Sequence, residues 1–354
     1  MQYLIWTIKS KTPFLTLLVS LYINMGLAQS INRAKVDSLM DVMADKAMLS
    51  IALSQNGELI YSRAIGYSDA DTTHKVHATI NTRYRIGSIS KVFTSVIIFQ
   101  MIEEGKIQLF NPLSEYFPDL PNAKKITIGN LLNHSSGLHN FTDDSSYTSM
   151  QNKKATKAEM LSKFKEQVPD FEPNSKHQYS NTNFILLGYI AEILDNKPYA
   201  EIVQQRICRT IGLKNTYYGG KINTKNQEAQ SYTWQGRWVP VTETDMSIPG
   251  GAGALVSNPS DLNFFMTALF NGKLVNDNSL RDMITIKDGY GMDLVQYTFD
   301  GKTGYGHNGG IDGFKSQAVY YPQEKLAVSY TANGVNTSIS KMIVGILNIY
   351  FNNK

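Results

Sequence analysis

Ser88-Ile89-Ser90-Lys91 stands at the head of an apolar run that continues through Val92, Phe93, Val96, Ile97 and Phe99. A helix starting near Ser88 puts residues 88 and 91 on one face, with Cβ atoms roughly 5–6 Å apart. Its apolar residues run nearly all round, so the helix is expected to be buried. A helix start also offers unpaired backbone N–H groups and the positive end of a dipole. A serine placed there has an amine within reach and an N–H aimed at any oxyanion formed beside it, which is the equipment of an activated alcohol. The amine can serve as a base only without its proton, and burial lowers a lysine pKa by up to about 3–5 units. The alternative is an N-capping serine beside a snorkelling lysine. The same S-x-x-K spacing recurs at Ser338-Ile339-Ser340-Lys341, so spacing alone does not choose.

Two other stretches carry chemistry. Phe171 to Phe184 places Tyr179-Ser180-Asn181 just before an apolar helix predicted over Phe184 to Leu194. Thr303 to Gln317 places His307-Asn308-Gly309 on what reads as a glycine-rich edge strand. The elements that must position these groups can be read from periodicity. Ile31 to Ala47 has helical spacing, and Leu49 to Asp69 reads as two strands around a Gln55-Asn56-Gly57 turn. Ser88 to Glu104 is predicted helical, stopped by Gly105. From about Pro112 to Trp238 short helical patterns alternate with loops. Strands then return as a hairpin around Gln323-Glu324, and a last helix is predicted over Ile339 to Tyr350. Strands at both ends with helices between predict an α/β (α+β) fold: an antiparallel sheet built from N- and C-terminal segments, flanked by helices, with a helical lobe inserted at roughly 112–238.

In order and approximate spacing, Ser88-Ile89-Ser90-Lys91, Tyr179-Ser180-Asn181 and His307-Asn308-Gly309 resemble the three motifs of the serine β-lactamase and penicillin-binding superfamily. The likeness is to its class C β-lactamase-like branch, which includes D-Ala-D-Ala carboxypeptidases, D-aminopeptidases and esterases. Leu131 to Leu138, Gly212 to Tyr218 and Gly250 to Leu262 look like the same family. The resemblance implies a transpeptidase-like fold and Ser88 as a nucleophile that forms an acyl-enzyme. It implies that Lys91 activates Ser88 and that Tyr179 takes or relays the proton between Ser88 Oγ and the leaving group, with either Lys91 or Tyr179 as the dominant base. Asn181 would hold Lys91 and donate to a substrate carbonyl, and the N–H groups of Ser88 and Gly310 would form the oxyanion hole. His307, Asn308 and Gly309 would line the substrate, and neither metal nor cofactor is implied.

Lys302-Thr303-Gly304 spells the K-T-G of a true β-lactamase. However, Phe299-Asp300-Gly301-Lys302 reads as a hairpin turn with a solvated lysine, and the family's glycine pattern follows His307 instead. Histidine is less firmly charged than lysine at neutral pH, and Asn308 stands where a hydroxyl often receives a carboxylate. Both departures favour D-Ala-type peptidase or esterase activity on an amide or ester. The alternatives are a β-lactamase of low efficiency and a penicillin-recognising protein with little turnover.

The 354 residues are 42% hydrophobic and 18% charged, which suits a large core in one domain or two joined lobes and excludes a disordered chain. The formal charge of +4, half of it from Lys9 and Lys11, predicts no nucleic-acid partner. A small-molecule or peptide substrate is the expected partner. Lys9, Lys11, the apolar Phe14 to Ile23 and Gly26-Leu27-Ala28 read as an export signal over 1–28, which leaves a single catalytic domain at 29–354. A retained membrane anchor is the other reading of that segment. The apolar run is shorter than the roughly 20 residues of a bilayer span. One cysteine, Cys208, forms no internal disulfide, and a periplasmic or cell-surface protein of a bacterium is expected. His74 with His77 and His134 with His139 lack metal-ligand spacing, and no G-x-S-x-G elbow or phosphate loop occurs.

Overall fold

The computed structural model describes residues 31–287, 289 and 291–352; the export signal expected over 1–28 lies outside the described residues. Strand β1 (Ala47–Gln55) is buried along nearly its whole length, so it must sit inside a sheet covered on both faces. Asn56 and Gly57 both adopt positive φ, 53° and 85°, and turn the chain tightly into β2 (Glu58–Ile65). The remaining strands of this sheet come from the far end of the sequence: β3 (Val295–Phe299), β4 (Lys302–Ile311), β5 (Phe314–Tyr321) and β6 (Leu326–Val335). Their spatial order is β3-β4-β5-β6-β1-β2, every neighbour antiparallel. The two ends of the chain meet where β1 pairs with β6, Ala52 opposite Ser329. An α/β architecture with a sheet shared between the termini is therefore what the chain adopts.

Alternation along the strands divides the core. Leu49, Ile51 and Leu53 of β1 and Val319 and Val328 face α1 (Arg33–Asp41) and the last helix, α5 (Ile339–Asn352), through Val36, Met40, Ile346 and Tyr350. On the other face Ala318, Tyr320 and Ala327 join a larger cluster running from Ile86 to Leu294. That cluster contains α2 (Ser90–Glu103), α3 (Asn181–Asp195) and α4 (Pro259–Phe270). Helix α4 begins where Asn258 accepts from the Asp261 N–H and Pro259 takes the first turn. It supports α2 directly, with Phe93 stacked on Phe265 at 3.7 Å. Helix α2 is buried without a break from Ser90 to Phe99, and a large apolar side chain buried there contributes about 1.5–3 kcal/mol. The segment between 112 and 238 shares this core with α2 and α4, so the helical body extends on both sides of that span.

Three local expectations change. Helix α2 starts at Ser90, and Ser88 lies in a 3-10 turn, Gly87–Ile89, that leads into it. The strand carrying His307 is not at the sheet's edge throughout: β3 covers Lys302 to Gly306 and stops, leaving 307–311 with a neighbour on one side only. The turn at Asp300 and Gly301 forms as read, but Lys302 is the half-buried first residue of β4 rather than part of the turn. Its Nζ lies 4.9 Å over the Phe351 ring, away from Ser88.

Where β4 loses its outer neighbour it meets the Gly87–Ile89 turn. Two glycines make that approach possible. Gly87 has φ +50°, and a β-carbon on it would stand 2.8 Å from Gly310 N; one on Gly309 would stand 2.0 Å from the Ile86 carbonyl oxygen. At Gly310 the nearest atom would be the flexible end of Lys315, 3.4 Å away. Gly309→Ala is therefore expected to lower the unfolding free energy by about 1–3 kcal/mol in urea titration. Gly310→Ala should stay within roughly 0.5 kcal/mol. Equal losses at the two positions would contradict this packing.

Candidate active site

The nucleophile turn is held from both sides. Tyr84–Arg85 pairs with Leu255–Ser257, Ile86 N–H donates to the Leu255 carbonyl, and the Leu255 N–H donates to Ser90 Oγ at 3.1 Å. The second serine of the motif is thus structural. Arg85 is buried and ion-pairs with Asp312 at 2.9 Å and Glu243 at 2.7 Å, which ties the residues before Ser88 to the turn that ends β4. Removing one partner of such a buried pair typically costs about 3–5 kcal/mol.

One turn into α2, Lys91 is fully buried. Its Nζ is hydrogen-bonded to Ser88 Oγ at 3.0 Å and donates to the Ala252 carbonyl at 2.7 Å. The Tyr179 ring lies 4.8 Å from the same nitrogen, and its hydroxyl donates to Ser88 Oγ at 2.7 Å. Burial lowers the Lys91 pKa to about 7, against a smaller opposing pull from Asp293. Ser88 Oγ therefore sits between an amine that can lose its proton near neutrality and a phenol.

Behind the amine is a closed polar group. His134 Nδ1 accepts from the Ser180 N–H at 3.2 Å and from Asn183 Nδ2 at 3.3 Å, so its hydrogen resides on Nε2, 3.4 Å from Asp293 Oδ1. His307 Nε2 approaches the same oxygen at 3.6 Å, and its Nδ1 donates to the Asn308 carbonyl. All three side chains are buried. Desolvation holds both histidines neutral, with His307 lowered to about 4 and His134 well below its usual value, and pushes the Asp293 carboxyl well up. Asp293 has φ 70°, and its Oδ2 is buried without a hydrogen-bond partner among the described residues. No group of three or more His, Cys, Asp or Glu among the described residues is arranged to hold a metal ion.

The cleft has two chambers that meet at Ser88 and Gly310. The larger, about 930 Å³, runs past Tyr179, His307 and Asn308 to Thr337 and Ser340 near the start of α5. The smaller, about 330 Å³, is walled by Phe141, Tyr147, Gln151 and Asn181.

Ser88, Lys91, Tyr179, His307, Asn308, Gly309 and Gly310 come together around this cleft. Asn181 reaches the smaller chamber but does not bond Lys91: its amide donates to Asn140 Oδ1 and Thr142 Oγ1, both at 3.2 Å. The Ala252 carbonyl takes that place, because Gly250–Gly253 folds as a short helix against α3. Sequence reasoning also missed His134, which lies inside the quoted Leu131–Leu138 stretch, and Asp293, for which Met292-Asp293-Leu294 offers no local signal. The second S-x-x-K is exposed at Lys341 on α5 and carries no such contacts.

A family described as Beta-lactamase matches residues 36–342. PbpX of Bacillus subtilis (strain 168), described as a penicillin-binding protein, is 28% identical over 263 residues, covering 73% of this chain and 64% of that protein. The teichoic acid D-alanine hydrolase of Staphylococcus aureus is 28% identical over 233 residues, covering 64% of this chain and 56% of that one. The chain thus spans less than two thirds of the length of these curated relatives. The D-amino acid amidase of Ochrobactrum anthropi SV3, solved with D-phenylalanine, aligns with a TM-score of 0.78 and 26% identity over 91% of this chain and 99% of that one. Because the matched span takes in both halves of the sheet and every element that brings Ser88, Lys91 and Tyr179 together, the chain belongs to the beta-lactamase family of serine hydrolases.

Proposed function

We propose that the protein hydrolyses amide or ester bonds of D-configured aminoacyl substrates through an acyl-enzyme on Ser88. The observation that carries this is the contact set on one oxygen: Ser88 Oγ has the Lys91 amine at 3.0 Å and the Tyr179 hydroxyl at 2.7 Å. In acylation, neutral Lys91 takes the Ser88 proton as Oγ attacks the carbonyl carbon. The resulting oxyanion is received by the N–H groups of Ser88 and Gly310, where losing one donor typically costs about 3–4 kcal/mol. Tyr179 relays to the leaving group the proton that Lys91 took, and water then cleaves the ester on Ser88, its oxygen going to the acyl carbon and a proton returning to Ser88 Oγ. The smaller chamber, with Phe141 and Tyr147, takes the acyl side chain, and Asn181 orients it.

The D-configured substrate is supported by two relatives whose names specify D-alanine or D-amino acids. A neutral His307 and the amide of Asn308 weigh against efficient capture of a β-lactam carboxylate by that motif. We further propose that residues 1–28 direct export, that residues 29–354 act as one catalytic unit and that the protein works at the bacterial envelope. The relatives, of bacterial penicillin-binding and teichoic-acid type, support this.

Two outcomes test the site. Ser88→Ala should lower turnover of D-alanine p-nitroanilide or a D-alanyl ester by about 10⁴-fold or more and abolish the acyl adduct seen by intact-mass spectrometry. Rapid cephalosporin hydrolysis, or a burst without further release, would replace the proposed activity with that of a β-lactamase or a penicillin-binding protein.

The pH dependence has a definite sign. A base that must be neutral is lost as pH falls through its pKa, so kcat/KM should drop about tenfold per unit below pH 7. Asp293 favours the ammonium form of Lys91, so Asp293→Asn should move that limb to lower pH. An unmoved limb in the pH–rate profile would remove Lys91 from the role of base.

A further inference from the structure

We infer that Lys315 is an anion-binding residue of the cleft and that the preferred substrate carries a carboxylate or phosphate on its leaving group. This rests on the acyl-transfer reading above and adds to it the class of leaving group.

Lys315 stands on β5 directly opposite Gly310 of β4. Its side chain is exposed and lines both chambers, and Nζ lies 3.4 Å from where a β-carbon on Gly310 would be. The bare glycine lets the ammonium lean over the strand beside the oxyanion position. Among the described residues no carboxylate ion-pairs with Lys315. Asp312, the carboxylate of the smaller chamber, is already committed to Arg85 at 2.9 Å and to the Thr244 hydroxyl at 2.7 Å. Among the described residues no acidic residue lines the larger chamber, and Lys315 is the one lysine or arginine on its wall. His307, at the place where the family resemblance puts a charge, is neutral. Among the described residues the cleft therefore presents one lysine without a carboxylate partner, displaced from the third motif to the neighbouring strand.

The side on which the anion sits follows from proton delivery. Tyr179 protonates the leaving group and lines the larger chamber, whereas Asn181 and the aromatic wall line the smaller one. A leaving group departing past Tyr179 occupies the larger chamber, whose rim carries Lys315 together with the exposed hydroxyls of Thr337 and Ser340. Those are donors for an anionic oxygen.

The test compares matched pairs that differ only in charge: N-acetyl-D-alanyl-D-alanine with its C-terminal amide, and D-alanyl glycerol phosphate with D-alanyl glycerol. For the wild-type protein the anionic member should have the higher kcat/KM. Lys315→Ala should reduce the anionic-to-neutral ratio roughly 10- to 100-fold, mostly through KM, and Lys315→Glu should invert it. The pair with the larger charge-dependent ratio identifies carboxylate or phosphate as the source. A ratio near one in the wild-type protein, or one unchanged in Lys315→Ala, overturns the anion site while leaving Ser88 acylation standing. If none of the four compounds acylates the wild-type protein, the acyl-transfer reading fails and the subsite falls with it. The exposed lysine makes misfolding easy to check by an unchanged melting temperature.

Discussion

An amine buried beyond the reach of water is the constraint around which this molecule is organised. A lysine in water keeps its proton to about pH 10.4 and is useless as a base. Taking the ammonium out of water costs several kcal/mol, and among the described residues no carboxylate stands at ion-pair distance from Lys91 to offset that cost. That penalty lowers the Lys91 pKa to about 7, so the amine can give up its proton near neutrality, as the proposed attack by Ser88 requires. That state requires water to be excluded on every side. Helix α2 achieves it by being enclosed by α3, α4 and the sheet, and the Ala252 carbonyl supplies the one fixed acceptor. The neutral pair His134 and His307 adds no charge to the enclosure, while Asp293 tempers the shift.

Assembly of the cleft is then a matter of clamping two bodies together at their shared edge. The Arg85 ion pairs run from the residues before Ser88 to Asp312 and Glu243, and the side-chain-free stretch Gly309-Gly310 allows backbone to lie on backbone. Packing at this density transmits small displacements, so a shift of either body would open the contacts on Ser88 Oγ together. The early end of β3 matters for the same reason: among the described residues it leaves 307–311 without a strand on one side, the edge along which the proposed substrate would lie.

Charge in the cleft lies away from the reacting atoms. Charge is absent from the third motif because His307 is desolvated behind Tyr179, and it appears instead on the exposed Lys315 of the adjacent strand. A lysine at the mouth and neutral histidines behind Tyr179 are the arrangement that the proposed anionic substrate and neutral base would require.

Local patterns in the sequence were enough for the turn at Asn56-Gly57 and the buried helix after Ser88, since each depends on neighbours a few residues away, whereas the shared antiparallel sheet was legible from the order of strands and helices along the chain. They also named Ser88, Lys91, Tyr179 and His307, because residue type and order survive without coordinates. Only the tertiary structure decided that Ala252 rather than Asn181 holds the amine, that His134 and Asp293 stand behind it, and that Lys315 leans over Gly310. Those contacts join residues as much as 161 positions apart through packing and desolvation. Both are set by what surrounds a group in space, which no spacing along the chain encodes.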